Sequence, residues 1–211
     1  MAIFAALLVA IALGFQAEAT PPGEAGTVAE WPAYGGDPGG SRYAPLADIH
    51  AGNLSDLEIA WTYRTGDVAD GRGKFKETSA FELTPLVVDG SLFACTPFNR
   101  VIALDPETGA ERWSFDPGID LTVNFANQFV CRGVATWLDP ERAVGDPCKR
   151  RIFTATNDAR LFALDAATGA RCADFGDAGE IDLNPGVGEK LWKGEYQVCL
   201  LYTSPSPRDH S

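Results

Sequence analysis

The side chains best equipped for chemistry lie in one short stretch, "NQFVCRGVATW", Asn127 to Trp137, which packs an amide, a thiol, a guanidinium and aromatic rings into eleven residues. A planar, permanently charged guanidinium such as that of Arg132 can donate two parallel hydrogen bonds to one carboxylate. Taken alone, Arg132 reads as half of a surface ion pair. Glu82, in "FELTPLVV", reads as a solvated loop carboxylate, because isolated charges are mostly exposed. His50 is the one histidine before the last residues, and alone it builds neither a metal site nor a Ser-His-Asp triad; in "ADIHAGNLSDL" it is a turn or cap residue. The glycine clusters "YGGDPGG" and "NPGVGE" lack the following lysine or βαβ setting of a phosphate cradle and read as loops.

Four cysteines precede the tail: Cys95, Cys131, Cys148 and Cys172. An even number in an exported chain permits disulfides in three connectivities. The shortest loop is closed by Cys131 with Cys148, which is the bridge expected here. The alternative is that some are small buried hydrophobes, as for Cys95 inside an apolar strand pattern. Export itself rests on residues 1–19, whose apolar run from Ile3 to Phe15 is short for a bilayer and suits a secretory core, with Ala17-Glu18-Ala19 as a cleavage site. The segment before that run lacks Lys and Arg, which leaves a buried helix or the tail of a longer membrane anchor as the alternatives. Residues 20–30 read as a linker. The end, "CLLYTSPSPRD", resembles a translated sequencing-library adapter, so residues 199–211 are taken as adapter-derived and the coding sequence as cut short; a native Pro/Ser-rich tail is the alternative.

A length of 211 residues with 45% hydrophobic and 22% charged residues is ordinary globular composition. A net charge of −12 speaks against nucleic-acid partners, which need a concentrated basic surface.

The elements that must position the reactive stretch show as a repeat. "RVIALDPETGAERWSF", Arg100 to Phe115, returns as "RLFALDAATGARCADF", Arg160 to Phe175, with eight identities in sixteen positions, too many for chance. Upstream, "SLFACT" faces "RIFTAT". The first copy spells four strands, "TPLVV", "SLFACT", "VIALD" and "AERWSF", with Asp89-Gly90 as a hairpin signal and "DPETG" as a reversing turn. Four antiparallel strands per repeat make a propeller blade, and Trp113 is placed to fill the gap to the next blade. Trp61, in "LEIAWTYRTG", holds the equivalent place at the end of another blade's outer strand. Sixty residues exceed the usual blade of about 40–45, and the excess falls between Pro117 and Arg150, a long excursion of the kind that serves a site.

"WPAYGGDPGGSRYAPLADIHAGNLSDLEIAWTYRTGD", the A-x-D-x-x-x-G-x-x-x-W of Ala103 to Trp113, "CRGVATW" and "CADFGDAGEIDL" together resemble the pyrroloquinoline quinone-dependent dehydrogenases, closest to the membrane-type quinoprotein glucose dehydrogenase branch. The resemblance spans residues 31–198. It implies an all-β fold: a partial eight-bladed β-propeller, here about two blades plus an N-terminal closing strand. It also implies a periplasmic enzyme, free or anchored to the inner membrane. Pyrroloquinoline quinone would sit near the axis beside a calcium ion, accept a hydride from a sugar, polyol or alcohol, and pass electrons to a membrane quinone or cytochrome.

Residue by residue, the resemblance makes Arg132 the partner of a cofactor carboxylate and Glu82 the acidic residue that approaches the cofactor. Gln128 stands where glucose-oxidising members place a histidine; it could bond cofactor or substrate, and it leaves the sugar preference open. Cys131 stands alone where alcohol-oxidising relatives carry two adjacent cysteines, which favours the sugar and polyol branch. Ala173 replaces the docking tryptophan of the second copy, so Phe175 must fill that space or the blade packs differently. The calcium ligands and the general base are expected outside this chain. The rival reading is a non-catalytic scaffold of the outer-membrane assembly lipoprotein type, which predicts a lipobox cysteine near the N-terminus and no cofactor loop.

Overall fold

The chain folds as two four-stranded antiparallel sheets, seen in a computed structural model that describes residues 30–37, 39–187 and 194–198. The leader and tail read from the sequence, and all of the linker but Glu30, lie outside the described residues. The first blade runs β1 (Leu86–Val88), β2 (Ser91–Cys95), β3 (Val101–Leu104) and β4 (Glu111–Phe115) in that spatial order; the second runs β5 (Ala135–Leu138), β6 (Arg150–Ala155), β7 (Arg160–Asp165) and β8 (Glu180–Asp182). Among the described residues the other regular element is a short 3-10 turn, Leu54–Asp56, beside which His50 serves as the turn residue, its Nδ1 accepting the Gly52 N–H at 3.1 Å.

All four residues of β3 are buried, because both faces of the first blade are covered. Val101 and Ala103 face the second blade, packing with Phe93 and Leu86 against Ile152, Phe162 and Leu164. Ile102 and Leu104 face the other way, under Trp61 and Tyr63. The period-2 alternation of a strand divides its side chains between two cores.

The repeated "D-x-x-T-G" is a turn closed by its own aspartate. Asp105 Oδ1 accepts the N–H groups of Glu107 and Thr108 and the Thr108 hydroxyl; Asp165 Oδ1 does the same with Ala167 and Thr168. Gly109 and Gly169 then take φ of +70° and +74°. A Cβ there would lie 2.5 Å from the Trp61 ring or 2.6 Å from the Trp113 ring, so the indole lies on bare backbone. Each indole Nε1 donates to the carbonyl following the turn aspartate: Trp61 to Pro106 and Trp113 to Ala166, both at 3.0 Å. Arginines make a second repeated link, Arg100 donating to the Thr65 carbonyl at 2.6 Å and Arg160 to the Pro117 carbonyl at 2.9 Å, each four residues beyond the docked tryptophan. The stretch holding Trp61 therefore grips the first blade as β4 grips the second, although residues 57–69 join neither sheet.

Several expectations are corrected. The bridges are Cys95–Cys131 and Cys148–Cys172, not Cys131 with Cys148. Loop length does not decide the partner: Cys95 ends β2 where the residues leading into β5 pass it, with Cα atoms 5.9 Å apart. Residues 117–150 are not one excursion, since they contain β5 and the connection 139–149 that returns it to β6. The last strand of the second blade is Glu180–Asp182 and not the segment ending at Phe175. Cys172, tied to Cys148, turns the chain away after a single bridge between Leu164 and Arg171. Phe175 packs edge-on against Phe153 at 5.4 Å on the face away from the first blade, so this blade does pack differently.

Candidate functional site

The segments leading into β1 and β5 run side by side in the same direction, as equivalent parts of two blades must when one blade is a rotated copy of the other. Phe129 N–H donates to the Thr78 carbonyl at 2.8 Å, Ala80 N–H to Phe129 at 2.9 Å and Thr84 N–H to Arg132 at 3.2 Å, with a parallel bridge between Ser79 and Phe129. Residues 78–84 and 128–132 thus form a short parallel ribbon at the mouth of the two sheets.

Side chains alternate along the ribbon. Phe129 and Cys131 point inward, Phe129 fully buried with its ring 5.5 Å from Phe98 and 5.7 Å from Phe125. Arg132 emerges on the other side with its Nε 3.3 Å from Glu82 Oε2; 47% and 43% of the two side chains are exposed. Gln128 lies on this ribbon too, its Oε1 accepting a hydrogen bond from the Thr78 hydroxyl at 3.3 Å. Glu82 and Arg132, which the sequence separates by fifty positions, therefore meet, and Gln128 belongs to the same ribbon four residues upstream.

The donor set suits a planar, carboxylated ligand. Among the described residues the Arg132 side chain has Glu82 as its polar partner, which leaves guanidinium N–H groups for an incoming carboxylate. Glu82 balances the charge, and the Gln128 amide and Thr78 hydroxyl offer neutral hydrogen bonds beside it. Both side chains of the pair are half-exposed, and two clefts of about 910 and 500 Å³ lie away from them, lined by Arg112, Trp113 and Arg150 in one case and by Asp158, Arg160 and Asp182 in the other. No three His, Cys, Asp or Glu side chains among the described residues are placed to hold a metal ion, so calcium is given no ligands and no step here.

Supporting residues escaped the sequence reading. Asn99, buried in the β2–β3 turn at φ +61°, accepts the Asn157 N–H on its Oδ1 at 2.8 Å, and Asn157 Nδ2 donates to the Gln128 carbonyl at 3.4 Å. Two blades and the ribbon are joined through these amides. Arg100 is the other case, meeting buried Asp67 at 2.8 Å. Only the tolerance of Asn for a left-handed backbone hinted at Asn99; nothing marked Asn157.

Comparison with known proteins accords with this geometry. The family described as "PQQ: Glucose/ethanol/alcohol dehydrogenase, beta-propeller domain" matches residues 31–206. Quinoprotein glucose dehydrogenase A of Acinetobacter calcoaceticus is 38% identical over 165 residues, covering 73% of this chain and 20% of that protein. Quinate/shikimate dehydrogenase (quinone) of Acinetobacter baylyi is 37% identical over 188 residues, 82% of this chain and 22% of that one. The crystal structure of quinohemoprotein alcohol dehydrogenase from Comamonas testosteroni superposes with a TM-score of 0.57 at 32% identity, over 75% of this chain and 20% of that one. The chain thus spans about a fifth of the length of these relatives. With its tryptophan-docked blades and its match over residues 31–206, the chain belongs to the family of pyrroloquinoline quinone-dependent dehydrogenase β-propellers.

Proposed function

We propose that this chain is a segment of a longer periplasmic dehydrogenase that oxidises a sugar, polyol or alcohol and delivers electrons to a membrane quinone or cytochrome. Pyrroloquinoline quinone, when bound, supplies the hydride acceptor that no side chain offers. Arg132 binds and orients a cofactor carboxylate by donating parallel hydrogen bonds, and Glu82 holds the guanidinium from its Nε side. Gln128, steadied by Thr78, gives or accepts a hydrogen bond at the ligand edge. Calcium and the proton-accepting base are assigned to residues outside this chain.

The observation that carries this reading is the Arg132–Glu82 pair on a ribbon built from two blades. What favours this reading over a scaffold is that the relatives at 35–38% identity bear the names of dehydrogenases. The test is cofactor titration, followed by fluorescence quenching, of a full-length protein carrying this segment. Arg132→Ala should weaken binding about 10–100-fold, the worth of about 1.5–3 kcal/mol in charged hydrogen bonds. Arg132→Lys should fall between, having charge without the planar fork. An Arg132→Ala protein that binds as tightly as the parent removes the proposal.

A further inference from the structure

Arg132 is preceded by a cysteine that is covalently tied to the sheet. Cys131 and Cys95 are both buried, at 8% and 0% exposure, and both belong to the core between the blades, packed with Leu86, Phe93, Val101 and Val134. The ribbon's other cross-links sit upstream, at Thr78, Ala80, Gln128 and Phe129; at Arg132 itself the described residues supply one N–H from Thr84 to its carbonyl and the half-exposed ion pair with Glu82. An exposed ion pair fixes a long side chain poorly. We propose that the Cys95–Cys131 disulfide is the positioning element for Arg132, fixing the backbone from which the guanidinium reaches the cofactor carboxylate. The inference rests on the cofactor role given to Arg132 above.

The second disulfide supplies an internal control. Cys148–Cys172 lies in a separate core cluster with Phe153 and Phe175, and the Cys148 N–H donates to the turn carboxylate of Asp165 at 2.5 Å. It braces the outer part of the second blade and leaves the ribbon alone. Small buried thiols pack as apolar groups, so reducing the Cys95–Cys131 link leaves its surroundings filled while giving the ribbon slack, whereas the alanine pair also removes two buried sulfur atoms.

The experiment compares six forms of a full-length protein carrying this segment: the parent, Cys95→Ala/Cys131→Ala, Cys148→Ala/Cys172→Ala, and Arg132→Ala in each of these three backgrounds. Cofactor affinity is read by fluorescence quenching and stability by thermal melting. Loss of the first disulfide should weaken cofactor binding about tenfold, the scale of ordering one long side chain. Loss of the second should lower the melting temperature and leave affinity within about twofold of the parent, inside the usual scatter of independent sites. In the Arg132→Ala background, removing Cys95 and Cys131 should change affinity no further. That non-additivity separates positioning from general loosening.

If Arg132→Ala itself leaves binding intact, the cofactor role fails. If it weakens binding but the first cysteine pair does not, or weakens it equally in the Arg132→Ala background, the positioning role alone fails. Should the double alanine variant not accumulate as folded protein, the parent is titrated before and after phosphine reduction, with mass spectrometry identifying the opened disulfide. Unchanged affinity after the Cys95–Cys131 link opens overturns the proposal; a drop that follows that opening supports it.

Discussion

Asp105 gathers two backbone N–H groups, the Thr108 hydroxyl and, at 2.9 Å on its other oxygen, the Arg112 guanidinium. These donors, Arg112 foremost and Thr108 next, hold its carboxyl down to about 2 from an ordinary 3.8. A carboxylate with a depressed folded-state pKa adds stability above its unfolded value, and that stability drains away as pH falls through the folded one. The chain should therefore lose urea resistance between pH 3.8 and about 2. Asp105→Asn should be less stable at neutral pH and show a flatter fall across that window, checked by urea midpoints at a series of pH values; an unchanged slope would count against the turn assignment. The aspartate was legible because the turn occurs twice in the sequence. Glu82 and Arg132 were legible only through likeness to a family, since composition treats each as a lone exposed charge. Asn157 was not legible at all, because its N–H reaches Asn99 across 58 positions.

At the level of strands and turns, the decisive joint is an indole laid over a glycine. Trp113 is half-buried, tilted against Phe93 at 5.8 Å, and its Nε1–H is satisfied by Ala166. Trp113→Ala should cost about 3–5 kcal/mol in urea unfolding of a protein carrying both blades. Gly169→Ala should be costlier than Gly118→Ala. Both glycines have positive φ, and that backbone cost is about 1–2 kcal/mol, but a Cβ at 118 meets nothing within 4 Å whereas one at 169 runs into Trp113. Equal costs at the two positions would remove the joint from the account. The first blade could be read strand by strand because its turns are two to six residues long and two of the three carry an Asp-Gly or Asp-Pro signal. In the second blade a disulfide redirects the chain, and β8 forms only after a detour through Phe175 and the turn that follows. Cysteine pairing depended on which strand ends meet in space, something that spacing along the chain does not encode.

Across the whole molecule, the two blades share one core, yet hydrophobic surface remains open beyond them. Leu57 and Ile59, on the stretch before Trp61, are 55% and 85% exposed. Solenoid-like stacks gain stability from neighbour interfaces, and about three repeats are needed before those interfaces outweigh chain entropy. Residues 31–198 produced alone should therefore melt over a broad range and bind a hydrophobic dye, and should show no cofactor-dependent turnover. A sharp melt without dye binding would contradict this. The joint between the blades also has a bearing on ancestry. Within the eleven residues from Ala103 to Trp113 lie both the socket that receives one neighbour's indole and the indole offered to the next. Any tandem duplication of that short piece of gene copies lock and key together, so each new unit is born able to clasp its predecessor and be clasped by its successor.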